Sequence, residues 1–572
     1  MYIETVPNRN SPPAILLREG RREGRRVVKR TLANLSHWPP AKIEALRAVL
    51  RDEPLVSPPD CFAIERSLPH GHVQAVLGMM RKLGLETLLS VRQCRERDLV
   101  AAMVVERLLE PCSKLATTRL WATTTLGEQL SVAEADVEEL YEALDWLLSR
   151  QGKIERALAR RHLGEGAVVL YDVTSSYYEG RTCPLAQFGH DRDGAGGRPI
   201  IVYGVLTDRR GCPVAVDVYA GNTGDPTTVP DQVDKLRERF GLKRVVLVGD
   251  RGMLTQTQIE TLKQYPGLGW VSALRSEQIR SLVESGPLQL SLFDQQNLAE
   301  IHAPEQFPGE RLMACYNPLL ADDRRRTRQE LLAATEKELE KIRREVARRT
   351  RTPLSGKEIA LKVGRVLPHY KMAKHFTVTI GEGTLSWSRN GDSIRAEEAL
   401  DGIYVIRTSE PTERLSAPDT VRTYKTLADV ERLFRTLKGI DLRIRPIFHR
   451  TDPRVRAHIF LCLLAYYVEW HMRQALAPLL FDDETLSDDR RRRDPVAPAK
   501  PTASARRKKT VRQTPDGLPL HSFRTLLKDL GTLCRNHCRL KTDPDGRGFT
   551  LITRATALQR RAFELLGMKC SQ

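Results

Sequence analysis

Apolar and polar positions along the chain follow two regimes. From residue 76 to about 160 they recur at i, i+3, i+4 and i+7, as in ERDLVAAMVVERLLE and VEELYEALDWLLSRQGKIERALARRHL, which predicts amphipathic helices. The polar EPCSKLATTRLW between them predicts a break of the helix–turn–helix kind. From 164 onward the regime changes to short apolar runs bounded by turn residues, the pattern of covered strands. VVLYD ends one such run at Asp172, and RPIIVYGVLTD (198–208) and GCPVAVDVYAGN (211–222) form a hairpin across DRRG. TTVPDQVDKLRERFG reads as a helix, KRVVLVGD as a strand ending in Asp250, TQTQIETLKQY as a helix and GLGWVSALR as a fifth strand. The order β-β-β-α-β-α-β predicts an α/β fold, a mixed five-stranded sheet with flanking helices.

The remaining segments divide the chain further. Residues 1–55 predict a small basic β element and 56–163 a mainly helical, candidate DNA-binding domain. The sheet's first part spans 164–275. Residues 276–400 read as an insertion, a charged helix at 322–351 with a thin seam of Leu332, Leu339, Ile342 and Val346 followed by β-like sequence. The sheet resumes at 401–482, beginning with DGIYVIRTSE and the helix TYKTLADVERLFRTLKGI. Residues 483–515, rich in Pro, Ala and Arg, predict a disordered basic linker. Residues 516–572 predict a small C-terminal domain.

Charge changes the picture. The chain has 572 residues and a formal net charge of +19, so a polyanion, first of all nucleic acid, is the expected partner. The most apolar run, IFLCLLAYYV at 459–468, is too short to span a membrane and predicts a buried helix. No signal-peptide core opens the sequence, and ten scattered cysteines suit a reducing cytoplasm. Cys534, His537 and Cys538 lack a fourth ligand at finger spacing, so zinc is not expected there.

Candidate chemistry lies in the acidic residues. Asp172 and Asp250 each close an apolar strand, so neighbouring strands would project both carboxylates from one sheet edge. Paired carboxylates hold hard divalent cations, and two Mg²⁺ about 3.5–4 Å apart can serve phosphodiester chemistry. A third carboxylate is expected from the helix at 420–439. There Tyr424, Glu431 and Lys438 are spaced by seven, which places them on one helical face with about 20° of drift per step. Glu431 would join the metal site, and Tyr424 and Lys438 would meet backbone phosphates.

YDVTSSYYEG, GNTGDPTT, VGDRGM and the run from Tyr424 through ERLFRTLKGIDLRIRPIFHRTDPRVRAHIFLCLLAYYVEW together resemble bacterial insertion-sequence DDE transposases. The sub-group is the one with a Tyr-Arg-Glu-Lys signature, and the likeness covers about 75–480. The resemblance implies an RNase H-like catalytic core and metal-dependent DNA cleavage and strand transfer on two Mg²⁺ ions, with Mn²⁺ as a substitute. It implies Asp172, Asp250 and Glu431 as catalytic metal ligands, and terminal inverted repeats and target DNA as partners. It further implies a homodimer in the synaptic complex and a bacterial, nucleoid-associated location. DNA contacts carried over by position are Tyr424 and Lys438. Arg435 is a stand-in for the signature Arg, whose place is taken by Leu427, and Trp387 is a candidate to stack on a flipped base in a hairpin intermediate. Two alternatives stand beside this reading: a catalytically decayed transposase that binds DNA, and a stand-alone RNase H-like nuclease.

Overall fold

The computed structural model describes residues 1–9, 11–53, 61–497, 499–541 and 547–570, which fall into two units. In the smaller unit β1 (Tyr2–Val6), β2 (Ala14–Glu23) and β3 (Arg26–Asn34) form an antiparallel sheet, followed by the helix Pro40–Leu50. A second sheet in that unit pairs β4 (Phe62–Pro69) with Cys534–Leu540, which also pairs with Phe549–Ile552. Cys534, His537 and Cys538 are strung along this extended strand and do not converge on one point.

The larger unit, Gly71–Gly531 with Thr556–Cys570, is built on one mixed sheet. Its strands are β5 (Ala167–Tyr177), β6 (Ile200–Asp208), β7 (Pro213–Ala220), β8 (Val245–Val248), β9 (Leu268–Ala273), β10 (Leu298–Ile301), β11 (Arg311–Tyr316) and, after a separate hairpin of β12 (Phe376–Gly381) and β13 (Thr384–Arg389), β14 (Ile403–Thr408). The order is β10-β11-β14-β9-β8-β5-β6-β7, with β5, β8 and β9 mutually parallel and the other pairings antiparallel. Five strands were expected, and those segments form the contiguous run β9-β8-β5-β6-β7. The other three join the free edge of β9, so the sheet has eight strands. Apolar runs show that a segment is a covered strand but not which edge it pairs with.

β6 is buried at every residue, the mark of a strand covered on both faces. One layer of cover includes the helix Asp452–Leu476, which contains IFLCLLAYYV and is buried through nearly its whole middle. Against it pack Arg95–Leu109 and Val137–His162, the latter opened by a capping box of Asp136 and Glu139. The helices read as a separate N-terminal domain therefore lie within the same unit as the sheet. No described helix is long and apolar enough to cross a membrane.

Two further expectations change. Residues 298–316 of the expected insertion supply β10 and β11 to the main sheet. The rest of it, the helices Pro318–Arg348 and Gly356–His369 with β12 and β13, gathers its own core around Leu332, Leu339, Ile359 and Phe376. The segment expected to be a disordered linker carries the helices Leu486–Arg492 and Ala503–Val511. It is anchored by Arg490 on Asp429 at 2.8 Å and by Lys508 on the carbonyls of Ala477 and Asp482 at 2.7 and 2.9 Å. Composition measures the lack of apolar surface in such a segment. It does not register the carboxylates and carbonyls that its cations find elsewhere.

Two consequences of this packing are measurable. Gly204 on β6 faces the ring of buried Tyr171, and a Cβ there would lie 2.2 Å from Tyr171 Oη, which itself donates to Thr228 Oγ1 at 2.9 Å. Gly204→Ala is expected to destabilise the larger unit by about 1–3 kcal/mol, read as a lower urea midpoint.

The second concerns acid. His449 stacks on His458 with ring centroids 4.7 Å apart, near Arg107, Lys114 and Arg454. Burial first, then these cations, push His449 down to about 3 and His458 well below its ordinary value. Below the unfolded value of 6.5 the unfolded chain takes up a proton that folded His449 refuses. This residue's contribution is therefore intact above that pH and is lost as pH falls from there toward 3. His449→Gln should remove about 1.4 kcal/mol per pH unit of acid sensitivity between pH ~6 and ~4. Parallel slopes of stability against pH for wild type and variant would refute that account.

Candidate active site

β5 begins as expected with Val168, Val169 and Leu170 but does not end at Asp172. It continues through Thr174, Ser175 and Ser176 to Tyr177, paired throughout with β6 from Asp172 opposite Val205 to Tyr177 opposite Ile200. Ser175 and Ser176 are fully buried and their hydroxyls are hydrogen-bonded. Ser176 Oγ lies 3.0 Å from Tyr203 Oη, while Ser175 Oγ donates to the His190 carbonyl and accepts from the Arg192 amide at 3.1 Å. Asp172 is thus a mid-strand residue, held by the rigid centre of the sheet.

β5 and β8 are parallel, with Leu170 opposite Val248. Two residues beyond that pair stand Asp172, still on β5, and Asp250, just past the end of β8, close enough for Asp250 to help raise the Asp172 carboxyl. Asp250 lies just past β8 in a turn that its own carboxylate organises: Oδ1 accepts from the amides of Gly252 and Met253 at 2.9 and 2.8 Å. Ser272 Oγ on β9 donates to its carbonyl at 3.1 Å.

Glu431 comes from the helix Leu427–Lys438, which packs on β5. Its docking face is the apolar set Leu427, Val430, Leu433, Phe434 and Leu437. Phe434 meets the ring of Tyr203 edge-on at 6.0 Å. Tyr203 is paired with Thr174 and so shares the face of the sheet to which Asp172 belongs. Glu431 is exposed beside that contact.

The single helix expected over 420–439 is interrupted. Ala417–Lys425 and Leu427–Lys438 meet at Thr426, where backbone bonding switches to i−3: Thr426 N to Thr423 O at 3.1 Å and Asp429 N to Thr426 O at 2.8 Å. Thr426 Oγ1 also donates to the Thr423 carbonyl at 2.6 Å, a side-chain bond that competes with the helical ladder. Tyr424 nevertheless lies within the field of the carboxylates. Burial, then Asp250, and further on Asp172 and Glu431, push its phenol up to about 12, with Arg251 opposing.

Burial also pushes the Asp172 carboxyl up to about 7, with Asp250 and Asp225 adding to the rise and the Val173 amide and Arg192 resisting it. The three carboxylates do not all close to within 4.8 Å of one another. An all-oxygen donor set with crowded negative charge and that spread suits hard divalent cations rather than a single soft metal. Asp172, Asp250 and Glu431 would hold such ions, with Tyr424 beside them.

The other sequence candidates have varied settings. Lys438 Nζ donates to Asp193 Oδ1 at 2.9 Å, and Arg445 joins the same oxygen at 2.6 Å. Burial works against the charge of Asp193, and the two cations outweigh it, holding the carboxyl below its usual range. Leu427 is buried at 9% exposure, so its position faces the core. Arg435 is exposed. Trp387, on β13 opposite Val378, is half-buried against the core of the insertion, with the Arg343 guanidinium over its ring at 5.3 Å.

Sequence reasoning did not single out Arg192, which ion-pairs with Asp225 and acts on Asp172, or Arg445. Asp225 lies in the quoted GNTGDPTT, and that motif was the available signal for it.

Residues 165–468, more than half of the chain and the whole acidic set, match the Transposase DDE domain family model, and the chain belongs to that family of transposases. Among solved structures it is similar to a piggyBac transposase synaptic complex with hairpin DNA, at 10% identity and a TM-score of 0.34, covering 81% of this chain and 80% of that one. No curated protein matches it in sequence.

Proposed function

We propose that this transposase binds the terminal inverted repeats of its own bacterial insertion sequence and carries out divalent-metal-dependent DNA cleavage and strand transfer. The observation that carries the reading is Asp172 on β5 with Asp250 just past the end of parallel β8 acting on its carboxyl, and the Glu431 helix docked on β5, inside the matched family segment. Bound Mg²⁺, or Mn²⁺ in its place, would activate the attacking hydroxyl and stabilise the leaving oxygen of the phosphodiester.

The residues supply position and charge. Asp172 is fixed by the sheet, Asp250 by its turn and Glu431 by helix docking, so the donor set is organised before DNA arrives. Tyr424 is a phosphate-contacting hydroxyl in this reading. Lys438 and Arg445 reach DNA phosphates by exchanging Asp193 for them, and Arg435 offers a further exposed cation. Trp387 is assigned to base stacking only if its cover by Arg343 opens. Two copies acting on two element ends, in the cytoplasm, complete the proposal.

The test is a labelled duplex carrying the element's flanking repeats, incubated with Mg²⁺ or with chelator. Metal-dependent cuts at the repeat ends support the reading, and hairpin products would show that the route tolerates Leu427. Repeat binding without cleavage in either Mg²⁺ or Mn²⁺ would favour the decayed transposase, for which buried Leu427 at the signature Arg position is the motivating observation.

A further inference from the structure

Outside the carboxylate site, three soft or borderline ligands converge from distant parts of the larger unit. His162 is the last residue of the helix Val137–His162, Cys212 lies in the turn between β6 and β7, and His471 is on the helix Asp452–Leu476. Among the described residues they are the one trio of His, Cys, Asp or Glu side chains whose ligand atoms all lie within 4.8 Å of one another. Cys212 Sγ is 3.9 Å from His162 Nε2 and 4.0 Å from His471 Nε2. Cys212 is fully buried and both imidazoles are half-buried.

From these contacts we infer that His162, Cys212 and His471 form a zinc site, distinct from the carboxylate site and bracing the fold behind it. Tetrahedral zinc with Zn–S of about 2.3 Å and Zn–N of about 2.0–2.1 Å separates its S and N ligands by roughly 3.5 Å. Cys212 Sγ therefore needs to close on each imidazole nitrogen by about half an ångström, within the reach of side-chain torsion. Two imidazoles and a thiolate suit zinc and disfavour Mg²⁺, the reverse of the preference of the acidic set. Zinc forms a bond to Cys212 Sγ as the thiol proton leaves to solvent, and both imidazoles bind through neutral nitrogen lone pairs. Three protein ligands leave a fourth position for water. His162 Nε2 is now 3.0 Å from Tyr467 Oη, and zinc at that nitrogen would replace this hydrogen bond, freeing the hydroxyl.

The location gives the site a purpose. Gly211, next to Cys212, has φ +78° and packs so closely on the Glu431 helix that a Cβ would come within 2.9 Å of Asp429 Cβ. A metal tying this turn to two long helices would stiffen the surface on which the Glu431 helix rests. Asp208 is not counted as a ligand. Its Oδ1 accepts from the amides of Arg210 and Cys212 at 2.8 and 2.9 Å, and its Oδ2 from Arg210 Nε at 2.9 Å.

The experiment is a Co²⁺ titration of the full chain after chelator treatment, read by the thiolate-to-cobalt charge-transfer absorption and followed by Zn²⁺ displacement in excess Mg²⁺. Wild type is expected to give one equivalent of tetrahedral Co²⁺ that Zn²⁺ removes and Mg²⁺ does not. Cys212→Ser should abolish the charge-transfer band. His471→Gln should weaken binding at least about 10–100-fold, since loss of an outer partner alone typically costs that much. Absence of the band in wild type, or its survival in Cys212→Ser, overturns the inference. If Cys212→Ser fails to fold by circular dichroism, the outcome rests on His471→Gln, and unchanged Co²⁺ affinity there overturns it equally.

Discussion

Replacing Glu431 with Gln is expected to reduce metal-dependent cleavage of repeat ends by at least about 10³-fold while repeat binding and melting temperature stay near wild type. The substitution keeps side-chain volume and removes the charge that would hold a cation. Losing one well-placed electrostatic contributor typically costs 10²–10³, and groups that act as a unit cost more. Glu431 is exposed, and none of the apolar residues that dock its helix is altered, so the fold has no reason to change. Asp172→Asn should match it in activity. Its carboxyl is already pushed up to about 7 by burial, so removing that charge relieves desolvation and should not destabilise the sheet. Cleavage by Glu431→Gln within tenfold of wild type would remove Glu431 from the proposed metal site.

The second large effect is structural. Arg407 on β14 and Glu310, just before β11, form an ion pair with exposures of 2% and 0%, with Nε and Nη2 of the guanidinium each 2.5 Å from a carboxylate oxygen. Arg407 also donates to Gln256 at 3.0 Å and lies over the Phe307 ring at 5.0 Å. The pair fastens β14 to the start of β11, and the Gln256 bond ties both to the helix Gln256–Lys263. Arg407→Leu leaves buried Glu310 with only Lys263 Nζ, 4.0 Å from its Oε1, in place of two short guanidinium bonds, and is expected to cost about 3–5 kcal/mol. The double replacement with Glu310→Leu should recover most of that loss, because burying two apolar groups avoids the stranded charge. A urea midpoint unchanged in the single variant would refute this account, and a double variant as weak as the single one would place the loss in packing instead.

Physical signals that act over a few residues explain what could be read before the fold was known. Apolar runs around Val168–Leu170 and Val245–Val248 defined two core strands, and the carboxylates following them stood out because charge rarely enters such runs. The seven-residue spacing of Tyr424, Glu431 and Lys438 was equally visible. The interruption at Thr426 was not, because a hydroxyl back-bonded to the Thr423 carbonyl leaves no trace in periodicity.

The sequence by itself determined the five core strands from β5 to β9, the basic character of the chain and the acidic positions, since burial periodicity and charge are properties of local composition. Tertiary structure alone decided the eight-strand order, the passage of β5 beyond Asp172 and the engagement of Lys438 by Asp193, 245 residues away. It also decided the meeting of His162, Cys212 and His471. Each of these depends on which hydrogen-bonding edge or charged group finds which partner across the folded chain. That choice is made by packing in three dimensions, where sequence separation carries no information.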